Sequence, residues 1–238
     1  MTVSSRAWYF SRRMRLPAKI ALVAAAVAAG GILIGFYVAK LSTQLGSAAY
    51  TVPVTSQNGH PVVNLEIMTV AAIGPKLSPN PDWVSYLIKD TSGQWRRDTV
   101  WKIPANATVH VTIYNFDGAS ALRNNWLARP QGVVNNQIVV DGKAMHVLPP
   151  DDASHTFAVP ELGVIIPVAP VPDDAKNQCD YAPCPMSTAH RTETFTFHTS
   201  APGHYHWQCF VPCAAGWING FGGPMQTIGY MDGFLDVV

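Results

Sequence analysis

The first sixty residues contain no Asp or Glu, and nothing after His206 is a histidine. No Cys-x-x-Cys-His haem-attachment motif occurs, and no Ser, His and Asp fall at a spacing that argues for nucleophilic catalysis. After residue 45 there is neither an internal repeat nor a long helical periodicity, which excludes a solenoid or helix bundle for the body of the chain. The missing acids leave Arg6, Arg12, Arg13, Arg15, Lys19 and Lys40 as the only charged residues before residue 60. Beyond that point fifteen acidic residues face ten Lys and Arg, a net of −5 with histidine neutral. The near-neutral total therefore combines a basic tail with an acidic body.

Ile20 to Ala39 is a run of twenty uncharged residues. As a helix it is about 30 Å long, the thickness of a bilayer core. The crowded basic flank places the tail in the cytoplasm and the remainder outside. A cleaved signal peptide is the alternative, because small residues occur at Gly46 to Ala49. The apolar run exceeds a usual signal core and that site lies well past its end, which favours a retained anchor. Either way the body is exported. The expected organisation is a cytoplasmic basic tail over 1–19, a transmembrane helix over 20–41, a linker over 42–60 and an extracytoplasmic domain over 61–238, in a single-pass protein of the cell membrane.

The body carries short runs rich in Val, Ile, Thr and aromatics, at 62–70, 108–116, 136–142, 192–199, 203–210 and 233–238, punctuated by Pro, Gly, Asn and Asp. This pattern predicts one all-β domain, an antiparallel sandwich or barrel. Residues 81–90 read ambiguously and suit a short helix. Two stretches read as long loops, 159–190 and 214–230, and long loops in compact domains often carry function.

Cys179, Cys184, Cys209 and Cys213 are the four cysteines. In an oxidising compartment an even number implies two disulfides unless a metal claims some of the thiols. Cys179 and Cys184 lie in a Pro-rich loop where a short disulfide is the simpler expectation. Period-2 alternation puts Tyr205, Trp207 and Cys209 on one face of the 203–210 strand and His204 and His206 on the other. The aromatic face belongs to the core, so Cys209 points inward and these two histidines point out. By the same alternation Phe195 and Phe197 turn inward while His198 faces the surface. His60, His110, His146 and His190 are read as structural.

Three segments together resemble the cupredoxins: Trp101 to Gly118, with alternating Val after a Pro turn and an Asn-x-Asp end; Ser154 to Val164; and Gly203 to Gly216 taken with Gly229 to Val237. The Cys-x-x-x-Cys pair is similar to the subunit II domain of haem–copper terminal oxidases, in its form with a single N-terminal helix. That resemblance implies a Greek-key cupredoxin sandwich over roughly 100–238 and a dinuclear Cu(A) centre. By position it implies His155 as the upstream imidazole, Cys209 and Cys213 as bridging thiolates, the carbonyl of Val211 as a backbone ligand and Met231 as the thioether. The family pattern continues Gly-x2-His-x2-Met after the second Cys. Here Ala214 replaces the Gly, Trp217 and Ile228 stand where a His would fall, and the loop to Met231 is longer. The second imidazole is absent.

The implied cofactor is copper, as a Cu(A)-like pair or a single ion, since thiolate, imidazole and a weak thioether suit electron-transfer copper. The implied role is an electron-transfer subunit rather than a catalyst in its own right. Its expected partners are the membrane, other subunits of a membrane oxidoreductase and a cytochrome or other redox donor, with no nucleic acid. A stand-alone mononuclear copper carrier is one alternative. A copper-free accessory subunit with Cys209 and Cys213 as a disulfide is the other. Acids near the His155 segment, Asp151, Asp152, Glu161, Asp173, Asp174 and Asp180, offer a patch that steers a basic donor, or simply a solvated surface.

Overall fold

A computed structural model describes residues 16–44, 49–121, 123–149, 151–213 and 223–238. The chain divides into two units, Met1–Gly46 and Ser47–Val238. In the first, one helix, α1 (Leu16–Gln44), is longer at both ends than the expected 20–41. Its segment Leu16–Ala39 is long and apolar enough to cross a membrane. Its large apolar side chains, among them Leu22, Val27, Leu33 and Phe36, are exposed.

The second unit is a two-sheet β-sandwich, the all-β architecture that the cupredoxin resemblance implies. In chain order its strands are β1 (Tyr50–Thr51), β2 (Val54–Gln57), β3 (His60–Val70), β4 (Ser85–Lys89), β5 (Trp95–Arg96), β6 (Val100–Ile103) and β7 (Thr108–Asn115). There follow β8 (Ile138–Val140), β9 (Lys143–Met145), β10 (His155–Val159), β11 (Val164–Val168), β12 (Arg191–His198), β13 (Gly203–Gln208) and β14 (Asp232–Val237). One sheet runs β1-β6-β14-β13-β10-β11; the other runs β5-β4-β3-β7-β12-β8-β9, with β2 on the flank of β3. The pairs β1–β6, β6–β14 and β3–β7 are parallel and the others antiparallel. The chain passes repeatedly from one sheet to the other, as a Greek-key sandwich requires.

Local chemistry accounts for the turns. Asn58 and Gly59 between β2 and β3, and Asp141 and Gly142 between β8 and β9, all take positive φ. That is the conformation a two-residue hairpin demands and these residue types supply most readily. Between the sheets lie Val63, Leu65 and Ile67 of β3, Val109, Val111 and Ile113 of β7, and Phe195 and Phe197 of β12. They interleave with Phe157 of β10 and with Trp207, whose ring centroid is 4.9 Å from Trp101, 5.1 Å from Tyr86 and 5.6 Å from Phe157. Gly233 is a forced choice at this centre, because a Cβ there would run into the Thr99 carbonyl and the Trp207 indole.

Three expectations change. The sandwich starts before residue 61: β1 and β2 lie in the stretch read as a linker, and β1 completes an edge by pairing with β6. The ambiguous segment 81–90 forms β4 rather than a helix. Its Tyr86 and Ile88 enter the inter-sheet core while Leu87 packs in a second cluster with Met68, Phe116 and Tyr230, and this two-sided burial hides the period-2 signal. Finally, the supposed loop 159–190 contains β11, whose Val-Ile-Ile-Pro-Val is buried throughout. Pro167 suggested a loop, but β11 is the outermost strand of its sheet, where proline is tolerated.

Glu193 of β12 is buried in the sandwich. Its Oε2 accepts the Ala169 N–H at 2.9 Å, while Oε1 has no partner among the described residues. Burial, against the opposing Ala169 hydrogen bond, pushes this carboxyl up from 4.5 to about 8. The folded chain therefore holds a proton that the unfolded chain releases above about pH 4.5. The associated stability is complete below that pH and is lost as pH rises through about 8. Thermal unfolding of the full-length protein is expected to weaken across this window. Glu193→Gln flattens the dependence and unfolds at a higher temperature than wild type at the alkaline end; parallel profiles for the two proteins would contradict this.

Candidate metal centre

The site forms where β10, β13 and β14 come together. His155 is the first residue of β10, Cys209 follows β13 immediately, and Met231 directly precedes β14. Register brings them close: β13 pairs with β14 from Gly203↔Val237 to Gln208↔Asp232, and β10 meets β13 at Ala158↔Gln208. The Cys209 N–H then donates to the Met231 carbonyl at 3.0 Å, and the Met231 N–H to Pro224 at 3.1 Å. Alternation on β13 puts Trp207 and Cys209 inside as expected. His204 and His206 lie on the outer face, where they pair with Asp236 and Asp232 and flank the Phe234 ring.

His155, Cys209 and Cys213 offer donor atoms that all lie within 4.8 Å of one another. The imidazole Nδ1 is 3.1 Å from Cys213 Sγ, and the two sulfurs are 3.1 Å apart, beyond the ~2.0 Å of a disulfide. Both are free thiols, whereas Cys179 and Cys184 are joined to each other. His155 is only 2% exposed, so it is not the solvated residue an isolated strand-edge histidine would be. The Val211 carbonyl lies 3.6 Å from Cys209 Sγ and accepts the Cys213 N–H at 2.8 Å. Met231 is fully buried in the core cluster that contains Cys209. The structure thus gathers His155, Cys209, Cys213 and the Val211 carbonyl directly and brings the Met231 backbone against Cys209. Ala214 and Trp217 lie outside the described residues, as does Asn219 of the same loop.

Sequence reasoning missed three neighbours. Thr156 sends its N–H to Cys209 Sγ at 3.3 Å, and its Oγ1 accepts the Phe210 N–H at 2.7 Å. Tyr86 places its ring 6.2 Å from the imidazole and donates its hydroxyl to the Thr156 carbonyl at 3.0 Å. Asp117, two residues beyond β7, brings Oδ2 to 3.1 Å from His155 Nε2. The Asn-x-Asp at the end of the 101–118 segment was the available signal for Asp117; for Tyr86 there was none.

The cluster is electrostatically coupled. Burial works against ionisation of Cys209, but hydrogen bonds from Cys213 and His155 overcome it and hold this thiol well below its usual range. Cys213 is pushed up, first by its hydrogen bond to the Cys209 sulfur and then by burial. Burial disfavours an imidazolium at position 155, yet Asp117 and the Cys209 thiolate raise it to about 9. Two soft sulfurs and an imidazole in a dry pocket fit a thiophilic transition metal such as copper or zinc. Among the described residues no second group of this kind occurs.

No protein-family model matches the sequence, and no curated relative matches it either. Solved structures do show similarity. Rusticyanin from Thiobacillus ferrooxidans is 19% identical, with 84% of this chain and 90% of that one covered and a TM-score of 0.32. A second structure of rusticyanin, described as a copper protein, is 21% identical over 86% of this chain and 94% of its own, also at a TM-score of 0.32. A multi-copper oxidase from Pediococcus acidilactici is 13% identical over 79% of this chain and 28% of its own, at 0.30. The fold assignment rests on strand order and register.

Thr156→Val removes the acceptor of the Phe210 N–H and one neighbour of the Cys209 sulfur. Denaturant unfolding is expected to show a loss of about 1–3 kcal/mol, the cost of a partly buried donor left unpaired. An unchanged midpoint would show that Thr156 does not hold the cysteine turn.

Proposed function

We propose that this protein is a membrane-tethered copper protein whose extracytoplasmic β-sandwich carries single electrons. In the manner of an oxidase subunit II, it takes them from a soluble or membrane donor and delivers them to a membrane oxidoreductase. The observation that carries this reading is the buried meeting of His155 with Cys209 and Cys213. Nδ1 of His155 and the two sulfurs would hold the ion, with the Val211 carbonyl beside them and Met231 as the weak thioether. Copper bound there supplies a one-electron couple.

The chain's own contribution is rigidity and exclusion of water. Each donor sits at the end of a paired strand or in a turn closed by backbone hydrogen bonds, and Phe157, Trp207 and Val211 fill the space around them. Such a frame keeps the donor atoms in place when the charge between them changes. The uncharged run in α1 and its basic flank support a cytoplasmic tail with the sandwich on the other side of the membrane. The acidic surplus of the body supports a basic donor, attracted over a distance that shortens with added salt.

One observation favours a single copper over a pair. A Cu(A) pair needs an imidazole for each ion, and the described residues bring only His155 to the sulfurs. The full-length protein, its thiols reduced beforehand and the reductant then removed, is expected to take up copper(II) and develop an intense visible thiolate-to-copper band. Its electron-spin spectrum should show hyperfine splitting from one copper nucleus; splitting shared by two would restore the dinuclear reading. Cys209→Ala should abolish the band. Failure of the wild-type protein to bind copper, with flux through its partner oxidoreductase unaffected by Cys209→Ala, would remove copper from the function.

A further inference from the structure

We infer that Asp117 is a positioning residue for His155: its carboxylate fixes the ring through Nε2 so that Nδ1 faces Cys213. This deepens the metal-centre reading and rests on it. Nδ1 is 3.1 Å from Cys213 Sγ and Nε2 is 3.1 Å from Asp117 Oδ2, so the ring spans the gap between sulfur and carboxylate. The Nε2 approach is an ion-pair contact lacking the alignment of a hydrogen bond, and among the described residues no other partner reaches that buried atom. Asp117 is therefore the one polar group among the described residues that answers Nε2.

The carboxylate is itself held in place. The Asp117 N–H donates to Asn115 Oδ1 at 3.2 Å, and its carbonyl accepts Asn115 Nδ2 at 3.0 Å. The same carbonyl accepts the Val171 N–H at 2.9 Å, and Oδ1 accepts the Gly118 N–H at 2.8 Å. Asn115 is in turn fixed by Thr69 and by the Ala169 carbonyl. With the backbone pinned on both sides and Oδ1 engaged, Oδ2 is the free end, and it points at the imidazole. Its side chain is 28% exposed while His155 is 2% exposed, so Asp117 also closes the solvent side of the ring. A carboxylate behind a ligating histidine fixes ring orientation and raises its basicity.

The test compares the full-length wild type with Asp117→Asn, which keeps an oxygen for Gly118, and with Asp117→Ala. Copper(I) affinity is read by competition with a chromophoric chelator, and the midpoint potential of the copper-loaded protein by redox titration. Asp117→Ala is expected to bind copper about 10–100-fold more weakly. Both variants should show a higher midpoint potential, because removing a nearby negative charge disfavours the oxidised ion. Wild-type affinity and potential in both variants would overturn the inference. A separate readout needs no copper: nitrogen NMR of the reduced, metal-free protein should show a His155 Nε2–H signal protected from solvent exchange and lost in Asp117→Ala. If the wild type binds no copper, the metal reading fails and this signal alone decides. Its loss in the Ala variant supports the positioning role, and its persistence overturns it.

Discussion

The pairing of β13 with β10 on one side and β14 on the other is the constraint on which the site depends. It is set by the inward alternation of Tyr205, Trp207 and Cys209 and by the fit of Trp207 among Trp101, Tyr86 and Phe157. A slip of one residue on β13 would turn Trp207 to solvent and His204 and His206 inward. The same slip would carry Cys209 away from His155 and from the Met231 carbonyl. Burial of one large aromatic thus fixes the register, and the register fixes which side chains can share a ligand. The packing argument and the chemical argument are one argument here.

Much of this was legible in the sequence where one period decides a strand. β7, β12 and β13 alternate cleanly, so the inward Phe195, Phe197, Trp207 and Cys209 and the outward His198, His204 and His206 could be read directly. Where a segment is buried on both faces the period vanishes, as in β4 and β11, and Pro167 further gives β11 the look of a loop. The short strands β1 and β2 give too few residues for any periodicity; only pairing with β6 and β3 makes them strands. His155, Cys209 and Cys213 were found through resemblance. For Asp117 the Asn-x-Asp after β7 is the one local signal, whereas Tyr86 near the start of β4 joins the site by contact across the sandwich, which no local pattern announces.

Two carboxyl groups, Glu193 buried and Asp117 half-buried, show how setting decides role. Glu193 lies within β12 and Asp117 two residues beyond β7, and these strands are neighbours in one sheet. Glu193 meets one backbone N–H and no cation, so burial dominates and its proton is retained. Asp117 meets the imidazole, which overcomes its burial and keeps it ionised, below the ordinary carboxylate range. The first is a neutral clamp between the sheets through Ala169; the second is a fixed negative charge at the edge of the thiol cluster.

That fixed charge bears on which ions the cluster favours. A thiol must lose its proton to become a ligand, so loading the site with two sulfurs introduces two negative charges where water is scarce. A neutral imidazole adds none. A monovalent ion leaves the three-donor set with a net negative charge, and a divalent ion leaves it neutral. Asp117, whose backbone is held by its own hydrogen bonds, adds a further negative charge beside the imidazole. In surroundings of low polarity such a charge acts over several ångströms with little screening, and it stabilises the more positive ion more. In the proposed copper site, the turn after β7 that aims Oδ2 at His155 would therefore favour the ion of higher charge.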